Sequence, residues 1–472
     1  MDFAPTSTRV EPMLATIFAV CLALSTPSLA SDVEQRAPDA KAAALEPFQS
    51  TTKNGLRFIW WLPKGYDGKA KRNLTVILHG TGLDYRWGLA NNQPGRFRTD
   101  DVVVSVDGPT PNGESRLFMD SKHDVDAIHD CLEEWRGEFA IERIFFYGHS
   151  QGSFFTTYYA GERPKDVAGI VAHASGVWTQ SRFDKSLADI AISFMHGDQD
   201  PVVPFGQSVG ARDEAWKLGL DLVHLRRIAF YNHWPNDVRA SEELDWCEAM
   251  TTQDPARALE LTVRLLTPKE SPQEGYPTSV AFSGAREILG RFEKGAKRDL
   301  TTASEADRSR ASRLMDAIQK SAAEQVAALT KSLPKKLSLD GEDWLGNLVF
   351  AREDLRGLAA MEALAKKLDY DALVKRHLQA AGKILDAWYS SKPPADIYTA
   401  IVEGLPDAFL FEGFPPEFYV RMAEWHAKEK DLGLKKPVLA KYDNFERWKK
   451  GWSDGSRARE KAWKEWHAPE SH

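Results

Sequence analysis

The sequence predicts an α/β protein: a doubly wound, mainly parallel sheet followed by an all-helical C-terminal region. Three observations predict it. Between about residues 55 and 240, short apolar runs alternate with stretches of helical periodicity, the pattern of parallel strands joined by crossover helices. Ser, Asp and His residues of catalytic type fall where those runs end, and open α/β sheets gather their sites at the carboxyl ends of strands. Beyond about residue 250 the short runs give way to long amphipathic stripes.

In chain order, residues 1–30 have the pattern of a secretory signal peptide. Arg9 precedes the apolar run Met13–Leu24, and Ser28-Leu29-Ala30 offers small residues where a signal peptidase reads, so cleavage is expected after Ala30. The run is too short to span a bilayer, which favours a removed signal over an anchor and implies a secreted or periplasmic protein. Asp2 and Glu11 are unusual ahead of such a run and make Met13 a candidate start. Residues 31–50, rich in Ala, Asp, Glu and Pro, read as a linker.

A domain is then expected over residues 51–250. Leu56–Leu62 reads as a strand closed by Pro63-Lys64-Gly65. Leu74–Leu78 is apolar enough to be buried on both sheet faces, and it ends in His79-Gly80-Thr81-Gly82. Asp101–Val106 is another such strand, ended by Asp107-Gly108-Pro109. Val125, Ile128, Leu132 and Trp135 recur at helical spacing over 124–140. The run from Arg143 to Tyr147 leads into Gly148-His149-Ser150-Gln151-Gly152, after which residues 151–163 should be helical. Val167–Ala172 and Ile190–Met195 are further strands, 208–219 a helix, and Leu222–Tyr231 a last strand leading to Asn232-His233-Trp234. Only about a dozen residues, Trp178 to Ala188, separate two of these strands, too few for a large cap. In the helical region, residues 251–472, Leu314, Ile318, Ala322, Val326, Leu329 and Leu333 form one stripe. Val374, Leu378, Ala381, Leu385 and Trp388 form another.

Composition narrows the partners. A net charge of −7 with a pI near 6.0 gives no reason to expect nucleic acid. No later segment is long and apolar enough for stable membrane insertion. Removal of the signal would leave Cys131 and Cys247, which an oxidising compartment permits to pair and spacing does not require to. His123, Asp126, His129 and Asp130 share a helix face but lack a third-ligand motif, so neither a metal nor another cofactor is expected. The helical region either binds a partner or packs on the sheet domain.

The pattern G-x-S-x-G occurs three times, around Ser150, Ser208 and Ser453, so context must choose. A working elbow needs an apolar strand before it, a helix after it, and an acid and then a histidine downstream. Only Ser150 meets all four. Pro201 and Pro204 interrupt the segment before Ser208, and Ser453 follows the charged stretch 447–450. Acyl transfer at a serine also needs a base, an acid to orient it, and amide donors for the oxyanion. The base is assigned to His233 and the orienting acid to Asp200, with Asp198 as the rival acid. His79, His149, His196 and His224 are rivals for the base. The oxyanion donors are the amides of Gln151 and Thr81.

Leu78-His79-Gly80-Thr81-Gly82, Gly148–Gly152, His196–Pro204 and His233-Trp234-Pro235 together resemble the α/β-hydrolase superfamily. Within it they resemble secreted esterases of the polyhydroxybutyrate depolymerase and feruloyl esterase type, over about residues 55–240. The resemblance implies a Ser150, Asp200, His233 triad. It makes His79, Gly80, Gly148 and Gly152 structural parts of the site, and Trp234 a neighbour of the pocket. It also implies action on a small-molecule or polymer-borne ester. One departure is Asn232, where such enzymes more often carry Gly. A peptidase of the prolyl-peptidase type on the same triad, and a binding or scaffold protein with a vestigial hydrolase domain, stand as alternatives.

Overall fold

A computed structural model describes residues 47–373, apart from 93, 95, 198–199, 201, 229–232, 235–236, 268–281, 335–343, 345–347, 349–350 and 353. The expected signal segment, the stripe from Val374 to Trp388 and the rival acid Asp198 lie outside the described residues.

Ten strands are described: β1 (Phe48–Thr51), β2 (Arg57–Trp61), β3 (Arg72–Leu78), β4 (Val102–Val106), β5 (Thr110–Asn112), β6 (Ser115–Leu117), β7 (Ile141–His149), β8 (Gly169–His173), β9 (Ala191–Gly197) and β10 (Val223–Ile228). The helices are α1 (Arg86–Asn91), α2 (Lys122–Glu138), α3 (Gln151–Glu162), α4 (Gly206–Lys217), α5 (Asp237–Thr251), α6 (Pro255–Leu266), α7 (Phe282–Gly290), α8 (Glu305–Ser332) and α9 (Ala359–Leu368). Eight strands form one sheet in the order β1-β2-β4-β3-β7-β8-β9-β10, with β5 and β6 a separate hairpin. β2 runs antiparallel to both neighbours, and every pairing from β4 to β10 is parallel. Residues 48–51, at the end of the stretch read as a linker, are thus the edge strand β1.

The parallel strands are apolar on both faces because both are covered, as a doubly wound sheet requires. Their side chains alternate between two cores. Val102, Val104, Val106, Ile144 and Phe146 point to one face and pack against Ile128, Leu132 and Trp135 of α2 and Phe155 and Tyr159 of α3. Val103, Phe145, Tyr147 and Val171 point to the other, where Leu244, Trp246 and Cys247 of α5 meet them. Fully burying a side chain such as Phe146 contributes about 1.5–3 kcal/mol, so period-two alternation fixes which way each strand faces.

The helices after α5 continue this second core outward. α6 and α7 pack on α5, and α8 packs on α7 and α9. Leu259, Ile288, Leu314, Ile318, Met361 and Leu373 belong to the same apolar cluster as Phe145 and Val171 of the sheet. The stripe from Leu314 to Leu329 is the buried face of α8. A buried ion cluster fastens the layers. Arg98, before β4, bonds Asp101 at 2.7 Å and reaches Asp245 and Glu248 of α5 at 2.5 Å each. Trp216 of α4 takes the guanidinium groups of Arg212 and Arg356 over its ring, at 4.7 and 4.9 Å. Cys131 and Cys247 are both free and buried, on opposite faces of the sheet, so they cannot pair.

Candidate active site

Ser150 occupies the corner between β7 and α3 at φ 52° and ψ −119°. A residue with a Cβ held there stores about 1–3 kcal/mol of strain, so the surroundings must enforce it. They do so through the Ser150 amide, which donates to the His173 carbonyl of β8 at 3.0 Å. The Ser150 carbonyl accepts from the amides of Ser153 and Phe154 and so starts α3.

The flanking glycines are sterically required. A Cβ on Gly148 would lie 2.5 Å from Ser153 Cα, and one on Gly152 would lie 2.5 Å from the His79 carbonyl oxygen. Gly80 brings the turn after β3 against the serine, because a Cβ there would lie 3.1 Å from Ser150 Cβ. His79 orients that turn. Its Nε2 accepts from the Gly108 amide at 3.2 Å, so Nδ1 carries the proton and donates to the Gly80 carbonyl at 2.9 Å. Burial keeps His79 below the ordinary histidine range, and hence neutral. The peptide whose carbonyl it holds is the one that carries the Thr81 N–H. The Thr81 hydroxyl donates to the Gln151 side chain at 3.2 Å, which brings the two assigned oxyanion residues together. Among the described residues neither of their amides donates to a backbone carbonyl.

Asp200 stands in the loop after β9. Its Oδ1 accepts from the amides of Val202 and Val203 at 2.7 and 2.9 Å. Its Oδ2 accepts from His233 Nδ1 at 2.7 Å and from His196 Nε2 at 3.1 Å. Burial acts to raise its pKa, but the hydrogen bonds from His196 and His233 prevail and hold it well below the usual carboxylate range. With Nδ1 donating to Asp200, His233 has Nε2 free to accept a proton. Trp234, next in the chain, is 51% exposed and stacks on the ring of His149.

Apart from His196, each rival histidine has another partner. His149 stacks with both Trp87 and Trp234, and its Nδ1 meets Nδ1 of His173 at 2.9 Å. Burial keeps both His149 and His173 well below the ordinary range. His224 lies near the start of β10, where Glu243 Oε2 sits 2.5 Å from its Nε2. His196 shares Asp200. Two of the residues considered for a metal are likewise engaged separately, His129 with Asp166 at 2.8 Å and Asp126 with Arg163 at 2.7 Å.

Sequence reasoning missed His173 and the bond from His196 to Asp200. The first was findable: His173 follows the run Val167–Ala172 directly, at the strand end where such sheets place their sites. The second was not, because no local pattern says which carboxylate a histidine at a strand end will meet.

Residues 105–220 match the phospholipase/carboxylesterase family. A stretch of 99 residues is 30% identical to abhydrolase domain-containing protein abhd-5.2 of Caenorhabditis elegans, covering 20% of this chain and 22% of that protein. Two solved structures are similar over part of the chain. A thermostable esterase is 18% identical over 46% of this chain and 62% of its own, with a TM-score of 0.31. A carboxylesterase from Mesorhizobium loti is 18% identical over 42% of this chain and 97% of its own, with a TM-score of 0.35. The chain therefore spans less than two thirds of the worm protein and of the thermostable esterase. With its sheet order, its serine elbow and the match over residues 105–220, the chain carries an α/β-hydrolase domain similar to the phospholipases and carboxylesterases.

Proposed function

We propose that the chain is a secreted serine hydrolase that cleaves carboxylic esters through an acyl-enzyme on Ser150. The observation that carries the reading is the 2.7 Å bond between Asp200 and His233 at the same end of the sheet that presents Ser150 in a strained corner. His233 takes the hydroxyl proton as Oγ bonds the carbonyl carbon, and the oxyanion is met by the amides of Thr81 and Gln151. Collapse breaks the ester C–O bond, and His233 returns the proton to the departing alkoxide. Water repeats the sequence, its proton passing to His233 and then to Ser150 Oγ as the acid leaves.

The connection between β8 and β9 holds one short 3-10 turn, Lys185–Leu187, and no cap, which suits a bulky or polymer-borne ester. Residues 1–30 support export. Fluorophosphonate labelling tests the reading: wild type is expected to label and Ser150→Ala not to. Labelling that survives the substitution sinks it. Faster turnover of peptide anilides than of p-nitrophenyl esters would transfer the triad to peptide-bond cleavage.

A further inference from the structure

Asp200 is shared. Its Oδ2 receives two histidine donors, His233 from the loop after β10 and His196 from β9. His196 is fully buried and reaches Asp200 along a defined path. Its Nε2 faces two acceptors, Oδ2 of Asp200 at 3.1 Å and the carbonyl of Val203 at 2.9 Å, so it must carry a proton. Its Nδ1 meets the Ser208 hydroxyl of α4 at 2.7 Å, and that hydroxyl donates to the Ser175 carbonyl at 2.5 Å. β9, Asp200, Val203, α4 and the segment after β8 are therefore joined at one ring.

We infer that His196 is a positioning residue for the reaction, acting through Asp200 to hold its carboxylate and to moderate how strongly that carboxylate supports His233. This rests on the triad proposed above. A carboxylate oxygen that already accepts a charge-assisted bond is a weaker acceptor for the next. The second donor thus draws electron density from the bond that stabilises the imidazolium of His233, and keeps that base from being over-supported. The other ionisable groups facing this node are histidines: His149 of β7, 4.9 Å from the His233 ring, His173 of β8 bonded to it, and His79 beyond. Among the described residues no lysine or arginine forms an ion pair with Asp200, and His196 is the only side-chain donor to Oδ2 besides His233.

The test is the pH profile of ester hydrolysis by the full chain carrying His196→Asn, which falls short of Asp200, and His196→Gln, whose amide reaches the position of Nε2. Loss of the donor is expected to move the acid limb of kcat/KM to higher pH by about half to one unit, and the Gln variant to restore it. An unmoved limb in His196→Asn, with activity lowered evenly across pH, leaves a structural role only and overturns the inference. Nitrogen-15 spectra of histidine-labelled wild type give a readout that needs no variant. Two protonated ring nitrogens bonded to Asp200 are expected, His233 Nδ1 and His196 Nε2. A bare His196 Nε2 at neutral pH overturns the inference. Fluorophosphonate labelling at Ser150 separates the two claims, since a labelled serine with an unmoved limb removes only the role of His196.

Discussion

Ser150 offers a direct test of how function is held against stability. Ser150→Gly and Ser150→Ala both remove the hydroxyl, and they differ in whether a Cβ remains at φ 52°. Relief of a conformation that costs a non-glycine residue about 1–3 kcal/mol is offset by about 0.5–1 kcal/mol of extra chain entropy for glycine. Taking the middle of each range, Ser150→Gly is therefore expected to be more stable than Ser150→Ala by about 1 kcal/mol, equivalent to a rise in Tm of roughly 2–4 °C for a domain of this size. Urea titration followed by tryptophan fluorescence, together with thermal melts at matched scan rate, measures the difference. Equal stability, or a less stable glycine variant, would refute the claim that the elbow stores strain.

Two further outcomes follow from the same contacts. Gly152→Ala would drive a Cβ into the carbonyl oxygens of Leu78 and His79, which are backbone atoms and cannot swing away. Loss of soluble folded protein, or destabilisation by more than about 3 kcal/mol, is expected in a melt, and a wild-type Tm would contradict it. The buried pair of His224 and Glu243 predicts a pH dependence of stability. Burial acts to lower the pKa of His224, but Glu243 and then Glu287 prevail and raise it to about 9. A raised folded-state value stabilises fully below the unfolded value near 6.5 and is lost as pH rises through about 9. Stability is expected to fall by up to about 3 kcal/mol across that window, and His224→Gln to flatten the curve there. An unchanged slope in urea titrations from pH 6 to 10 would count against the pair.

Much of the sheet was legible because its strands report their own environment. Leu74–Leu78 and Val102–Val106 are almost wholly apolar, with only Thr75 and Ser105 interrupting, which burial on both faces explains, and both are interior strands. The short edge strand Phe48–Thr51 carried no such signal, since all four residues are exposed and their pairing depends on β2. Likewise α5 has no marked apolar stripe. Asp245 and Glu248 face inward there because Arg98, nearly 150 positions earlier, meets them, and no local pattern announces an ion pair.

The sequence by itself determined the strand order along the chain, the corner at Ser150, and a downstream acid and histidine. These rest on local chemistry: apolar periodicity, glycines where a Cβ cannot fit, and residue types at strand ends. Only the tertiary structure decided which histidines meet Asp200, that the helices to Leu373 continue the core of the sheet, and that Cys131 and Cys247 lie on opposite faces. Those are contacts between residues distant in the chain, and they exist only once the sheet has set the spacing and direction of its strands.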